Sequence, residues 1–139
     1  MLKYLMMPLL CGCVLLQDAP VDAQEPKVDC KKAEAQMELT YCAEQDLNAA
    51  DKLLNAQYQA TRKATKKRDA DAEADQKGAD DALVKAQRAW VAYRDAQCTS
   101  YGYQAHGGSM EPMLIYSCQA DLTRKRTAEL KELTGSMAN

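Results

Sequence analysis

The feature that most constrains this chain is where its six cysteines fall. Cys11 and Cys13 stand in an apolar leader, whereas Cys30, Cys42, Cys98 and Cys118 are spread along the remainder. The leader has the three parts of an export signal: Lys3, the apolar run from Tyr4 to Leu16, and the polar stretch from Gln17 to Gln24. Val21-Asp22-Ala23 puts small or short residues at the positions a signal peptidase reads. Cleavage is therefore expected before Gln24, giving a signal peptide over 1–23 and a mature domain over 24–139. Four cysteines in a domain bound for an oxidising compartment, periplasmic or secreted, imply two disulfides.

Other readings of these segments are weaker. A transmembrane anchor would need about 30 Å of hydrocarbon-spanning helix, and the apolar run supplies about 20 Å. Leu10-Cys11-Gly12-Cys13 resembles a lipobox, which would tether the chain to a membrane through Cys13. However, Cys11 stands where a small non-cysteine residue is usual, and Val14-Leu15-Leu16 stays apolar where a tether should turn polar. Zinc is not expected, because there is no CxxC and His106 is the single histidine. No other cofactor is implied. Removing Lys3 from 18 basic residues, and Asp18 and Asp22 from 20 acidic ones, leaves 17 against 18. Such a near-neutral domain offers no electrostatic case for nucleic acid.

The mature part is rich in Ala, Leu, Gln, Glu and Lys, with Gly and Pro confined to edges and loops, so the fold class is all-α. Lys31 to Cys42 is expected to form a short helix that breaks near Thr40. From Ala43 to Arg68, residues Leu47, Ala50, Leu54, Tyr58, Thr61 and Thr65 recur on one face of a helix about 39 Å long. Lys66 to Lys77 is nearly all Ala and charge, read as a frayed helix end with a solvated face and a turn near Gly78. Asp80 or Asp81 would cap a third helix with the stripe Leu83, Ala86, Trp90, Tyr93 and Gln97, ending about Cys98. After a polar loop from Thr99 to Gly108, Ser109 would cap a last helix carrying Ile115, Cys118, Leu122, Leu130 and Leu133, with Gly135 at its end.

These segments make a small up-down bundle of three main helices plus a short N-terminal one. Its stripes are narrow and Phe is absent, so disulfides should matter to its stability. Four cysteines allow three connectivities. Local pairing, Cys30 with Cys42 and Cys98 with Cys118, would contribute about 3 kcal/mol per bridge.

From about Asp29 to Leu133 the chain resembles the lysozyme inhibitor LprI-like family. The resemblance rests on Cys30 to Cys42 with Met37-Glu38-Leu39-Thr40, on Leu54-Asn55 and Tyr58, and on Ala86-Gln87-Arg88-Ala89-Trp90 with Tyr93-Arg94-Asp95 and Cys98. Gly107-Gly108-Ser109, Pro112, Cys118 and the stretch from Thr123 to Arg126 complete it. It implies a helical envelope protein associated with inhibition of lysozyme. The residues themselves are mostly structural in character. Trp90 and Tyr93 suit core anchors, and Arg94 and Asp95, adjacent on a helix, should diverge toward separate partners.

No Ser, His and acid constellation is recognisable, so catalysis is not expected. A protein partner is, possible surfaces being led by the loop. Tyr101, Tyr103 and His106, followed by Gly107, Gly108 and Ser109, give the aromatic and adaptable polar mix that recognition loops favour. Gly107 and Gly108 would supply positive backbone angles. The competing readings are an ordinary solvent-exposed connector and, for the protein, a structural or adaptor role in the envelope.

Overall fold

A computed structural model describes residues 28–137; the expected signal peptide over 1–23 and Cys13 lie outside them. Three helices follow in order: α1 (Gln36–Asp71), α2 (Ala79–Gly102) and α3 (Glu111–Ser136), with no strand among the described residues. Single 3-10 turns, Ala74–Gln76 and Tyr103–Ala105, sit in the two connections.

The direction of each helix follows from its cross-helix bonds. Gln36 meets Met113 and Gln57 meets Thr134, so α1 and α3 run parallel. Asp51 meets Arg94 and Arg62 meets Asp80, so α2 runs against α1. Residues 28–137 are therefore an up-down-up bundle of three helices. The start of α1, the end of α2 and the start of α3 share one end. Both disulfides form there, Cys30–Cys42 and Cys98–Cys118, with Cα atoms 5.5 Å apart in each, as local pairing requires.

The separate N-terminal helix is not present: residues 28–35 form a turn, and α1 runs unbroken for 36 residues, about 54 Å. Thr40 does not break it because its hydroxyl donates back to the Gln36 carbonyl at 2.9 Å, which satisfies the group inside the helix. The Glu38 carboxylate reaches back to the Glu34 and Ala35 N–H groups, holding the first turn.

The expected α1 stripe is the buried one: Ala50, Leu54, Thr61 and Thr65 face inward, with Ala43. Leu54, Leu83 and Leu130 form the apolar centre, flanked by Tyr58 and Trp90. Each leucine contributes about 2 kcal/mol of burial. The remaining interior is polar and paired. Thr61 donates or accepts among Gln57, Leu130 and Thr134, and no buried side-chain polar atom among the described residues lacks a partner.

On α2 the inward face is displaced by one residue from the expected stripe. Leu83, Trp90, Arg94, Cys98 and Gly102 turn inward, whereas Ala86, Tyr93 and Gln97 are exposed. Tyr93 is thus no core anchor. The reason is that the face must carry Cys98 to Cys118 and Gly102 to α3. A Cβ at Gly102 would stand 2.5 Å from the Ile115 Cγ1, so only glycine admits this approach.

The cap of α2 also differs from expectation. Asp80 and Asp81 do not serve; Gly78, at φ +124°, is the N-cap, and the carboxylate of Asp69 on α1 accepts the N–H groups of Gly78, Ala79 and Asp80 at 2.9–3.0 Å. Asp69 lies in the charge run expected to be frayed and solvated. Its three N–H donors, those of Asp80 and Ala79 foremost, hold its carboxyl below the usual range. Asp80 instead takes the Arg62 guanidinium and the Thr65 hydroxyl. The Arg62 bond is the main reason its carboxyl is lowered to about 2.

Candidate functional site

Two features carry the residues singled out in the sequence. The first is an internal tie around Arg94. Its side chain is 12% exposed and donates through Nη1 to Asp51 Oδ1 on α1 at 2.9 Å and to Thr123 Oγ1 on α3 at 3.1 Å. Its Nε donates to Asp95 Oδ1 at 2.9 Å, and Gln119 Nε2 donates to the same oxygen at 3.1 Å. Arg94 and Asp95 therefore converge instead of diverging, because the flexible arginine stem curls back while its fork spans the three helices. The guanidinium also sits 5.3 Å from the Trp90 ring centre, a cation–π distance. Trp90, Arg94 and Asp95 thus tie the three helices together.

The second feature is the end where the disulfides lie. The expected loop from Thr99 to Gly108 is shorter than the sequence suggested, since α2 continues through Gly102 and a 3-10 turn follows at once. Tyr101 stands on the last turn of α2, 46% exposed, with Gln104 donating to its carbonyl. Tyr103 is 61% exposed, and its ring stacks on that of His106, centroids 4.3 Å apart and planes within 4°. His106 Nδ1 lies 3.0 Å from Glu111 Oε1, and the other Glu111 oxygen accepts the Gly107 N–H at 2.8 Å. The bond from His106, and then that from Gly107, hold the Glu111 carboxyl below its ordinary range.

This geometry revises two local expectations. Gly107 has the positive φ, +76°, and Gly108 does not. Gly108 instead donates its N–H to the Ala105 carbonyl at 2.8 Å, closing the turn. Ser109 is not the cap of α3. Met110 occupies the N-cap position without a side-chain bond, and Glu111 in the first turn reaches back along the connector, where an acid suits the helix dipole.

Side chains of α1 that the sequence did not mark as contact residues complete this surface beside Ser109. The first turns of α1 rise beside the connector, and a groove of about 560 Å³ is lined by Gln36, Met37, Thr40, Tyr41, Glu44 and Ser109. Met37 is the most exposed large apolar side chain there, at 83%, and Met110 is exposed as well. Their sequence signal was weak: Met37 sits among helix formers, and nothing local tells that α1 begins beside the α2–α3 turn. The cysteines were the available hint, since Cys30–Cys42 and Cys98–Cys118 brace neighbouring segments.

The result is a braced end carrying Tyr41, Tyr101, Tyr103, His106, Met37 and Met110. Among the described residues no three His, Cys, Asp or Glu side chains converge as a metal site would need, and no helix is long and apolar enough to cross a membrane. The arrangement suits a contact surface. Residues 29–130 match the family described as lysozyme inhibitor LprI.

The chain belongs to the LprI lysozyme inhibitor family.

An uncharacterized protein of Rhizobium meliloti (strain 1021) is 56% identical over 124 residues, spanning 87% of this chain and 89% of that protein. No solved structure matches the chain. The LprI match takes in both disulfides, the Arg94 tie and the connector from Tyr101 to Ser109, so the braced end lies within the family region. The family and the disulfides together point to an extracytoplasmic protein.

Proposed function

We propose that this protein is exported, loses its leader before Gln24, and binds and inhibits lysozyme by occluding the active-site cleft with its braced end. Membership of the LprI family carries the reading. The contact residues are Tyr101, Tyr103, His106, Gly107, Gly108 and Ser109, with Met37 and Tyr41 at the margin. The site does no chemistry. Lysozyme cleaves a glycan between two carboxyl groups, so a protein that fills the cleft stops the reaction without touching a bond.

Geometry supports the choice of surface. The connector is closed at its base by Cys98–Cys118, and the Tyr103–His106 stack and the Glu111 bonds fix its tip. A loop held in one shape loses less entropy on docking. Tyrosines add large amphipathic area with few rotatable bonds.

The test is a lysis assay with oxidised mature protein. Replacing Tyr101, Tyr103 and His106 together by alanine is expected to reduce inhibition at least tenfold while helix content and melting stay unchanged, because all three rings are exposed. Inhibition equal to that of the parent removes this surface. No inhibition by the parent at saturation, against several lysozymes, removes the function and leaves an adaptor role in the envelope.

A further inference from the structure

The opposite end of the bundle, where α1 ends, α2 begins and α3 ends, holds a groove of about 650 Å³ that the inhibitory reading does not use. Its size falls within the range of small-molecule sites. Leu83, Leu133 and Met137 form its apolar floor, and the charged side chains on its walls are Arg68, Lys77 and Arg126, with no carboxylate among the lining residues. Arg126 is engaged by Gln87 and Glu129. Arg68 and Lys77 have no partner among the described residues. They differ in this from Arg62 and Lys67 on the same stretch of α1, which are paired with Asp80 and Asp71. The adjoining groove, which shares Arg68, Gln76 and Met137, adds further room along the end of α1.

We propose that this groove binds a monoanionic single-chain amphiphile, its head held by Arg68 and Lys77 and its chain lying along Leu83, Leu133 and Met137. Charge complementarity selects the head: two unpaired cations stand at the wall, no acid is among the residues lining this groove, and Asp71 in the adjoining groove is taken by Lys67. A guanidinium takes a carboxylate or phosphate with two parallel hydrogen bonds, and a lysine adds a point charge. The apolar floor selects the tail, since each buried methylene contributes about 0.8 kcal/mol. The α2 N-terminus is not the anion site, because Asp69 already occupies its N–H groups. As the groove lies at the end remote from the connector, ligand and protein partner can bind together.

Decanoate, below its micelle concentration, is the probe, and calorimetry with the folded mature protein is the readout. Trp90, the single tryptophan, packs against the cluster of Leu54, Leu83 and Leu130, of which Leu83 lines the groove, and supplies a fluorescence signal. Saturable one-to-one binding is expected, with decanol and inorganic phosphate each at least tenfold weaker. The double substitution Arg68→Ala with Lys77→Ala should weaken decanoate at least tenfold while leaving lysozyme inhibition intact. Arg68→Lys, which keeps the charge and loses the fork, should bind more weakly than the parent and more tightly than the double variant. Binding that is non-stoichiometric, unchanged in the double variant, or matched by decanol or by phosphate alone would overturn the proposal.

Discussion

At one end of this bundle, two disulfides and small side chains set the packing; at the other, leucines, threonines and ion pairs do. The braced end buries Ala43, Cys98, Gly102 and Ala120, so the helices approach closely but little large apolar surface is removed from water. From the centre to the open end the bundle buries Leu54, Leu83 and Leu130, satisfies Thr61 and Thr65 internally, and closes with the Asp69 cap. Covalent bonds at the first end make up for the burial it lacks, and they free its tyrosines and methionines to face outward. On the proposed function, stability and recognition are separated along the bundle axis.

That contrast is open to attack from both sides. The largest effect is expected at the open end: Leu130→Ala should cost about 4 kcal/mol in denaturant unfolding, because a fully buried leucine would leave a cavity among three helices. A loss under 1 kcal/mol would show that the apolar centre is not where stability lies. Replacing Cys98 and Cys118 together by alanine should cost about 3 kcal/mol. In that variant, amide exchange should quicken first at residues 99–110 and not at the Asp69 cap. Uniform acceleration would mean that the two ends are one unit.

A smaller loss follows from overpacking. Gly102→Ala places a methyl group against Ile115, and the expected cost is about 2 kcal/mol with the connector displaced. Gly107 and Gly78 do not meet neighbours in this way. The smallest effect is one of pH, carried by Asp69 and Asp80 at the open end and by Glu111 at the braced end. Asp69 and Asp80 have carboxyls held below the unfolded value of about 4. Their contribution is present above that pH and fades as pH falls through about 2, the folded value of Asp80. Asp80→Asn should flatten that acid limb in a circular dichroism titration, whereas a disulfide-free variant should keep it. An acid limb unaltered by Asp80→Asn would contradict the assignment.

The same contrast explains what the sequence disclosed. The α1 stripe was legible because Leu54, Thr61 and Thr65 keep strict helical spacing, and the disulfides because each pair is close in sequence. Helix ends were not legible. Thr40 looked like a break until its hydroxyl found the Gln36 carbonyl, and α2 outran Cys98 because Gly102 has a tertiary contact that no local propensity encodes. The Asp69 cap joins residues 9 to 11 positions apart across a connection, so in a run of charges it looked like any other solvated acid. For the candidate surface, Tyr101, Tyr103 and His106 were visible as loop aromatics. Met37 and Tyr41 were not, because they arrive there through the parallel packing of α1 on α3.

Hydrogen exchange of the mature, oxidised protein with and without lysozyme tests the account most directly. Protection is expected in residues 99–112 and in the first turns of α1, with residues 66–80 unchanged. Protection confined to the open end, or none at concentrations that block lysis, would contradict a recognition surface built on the braced end.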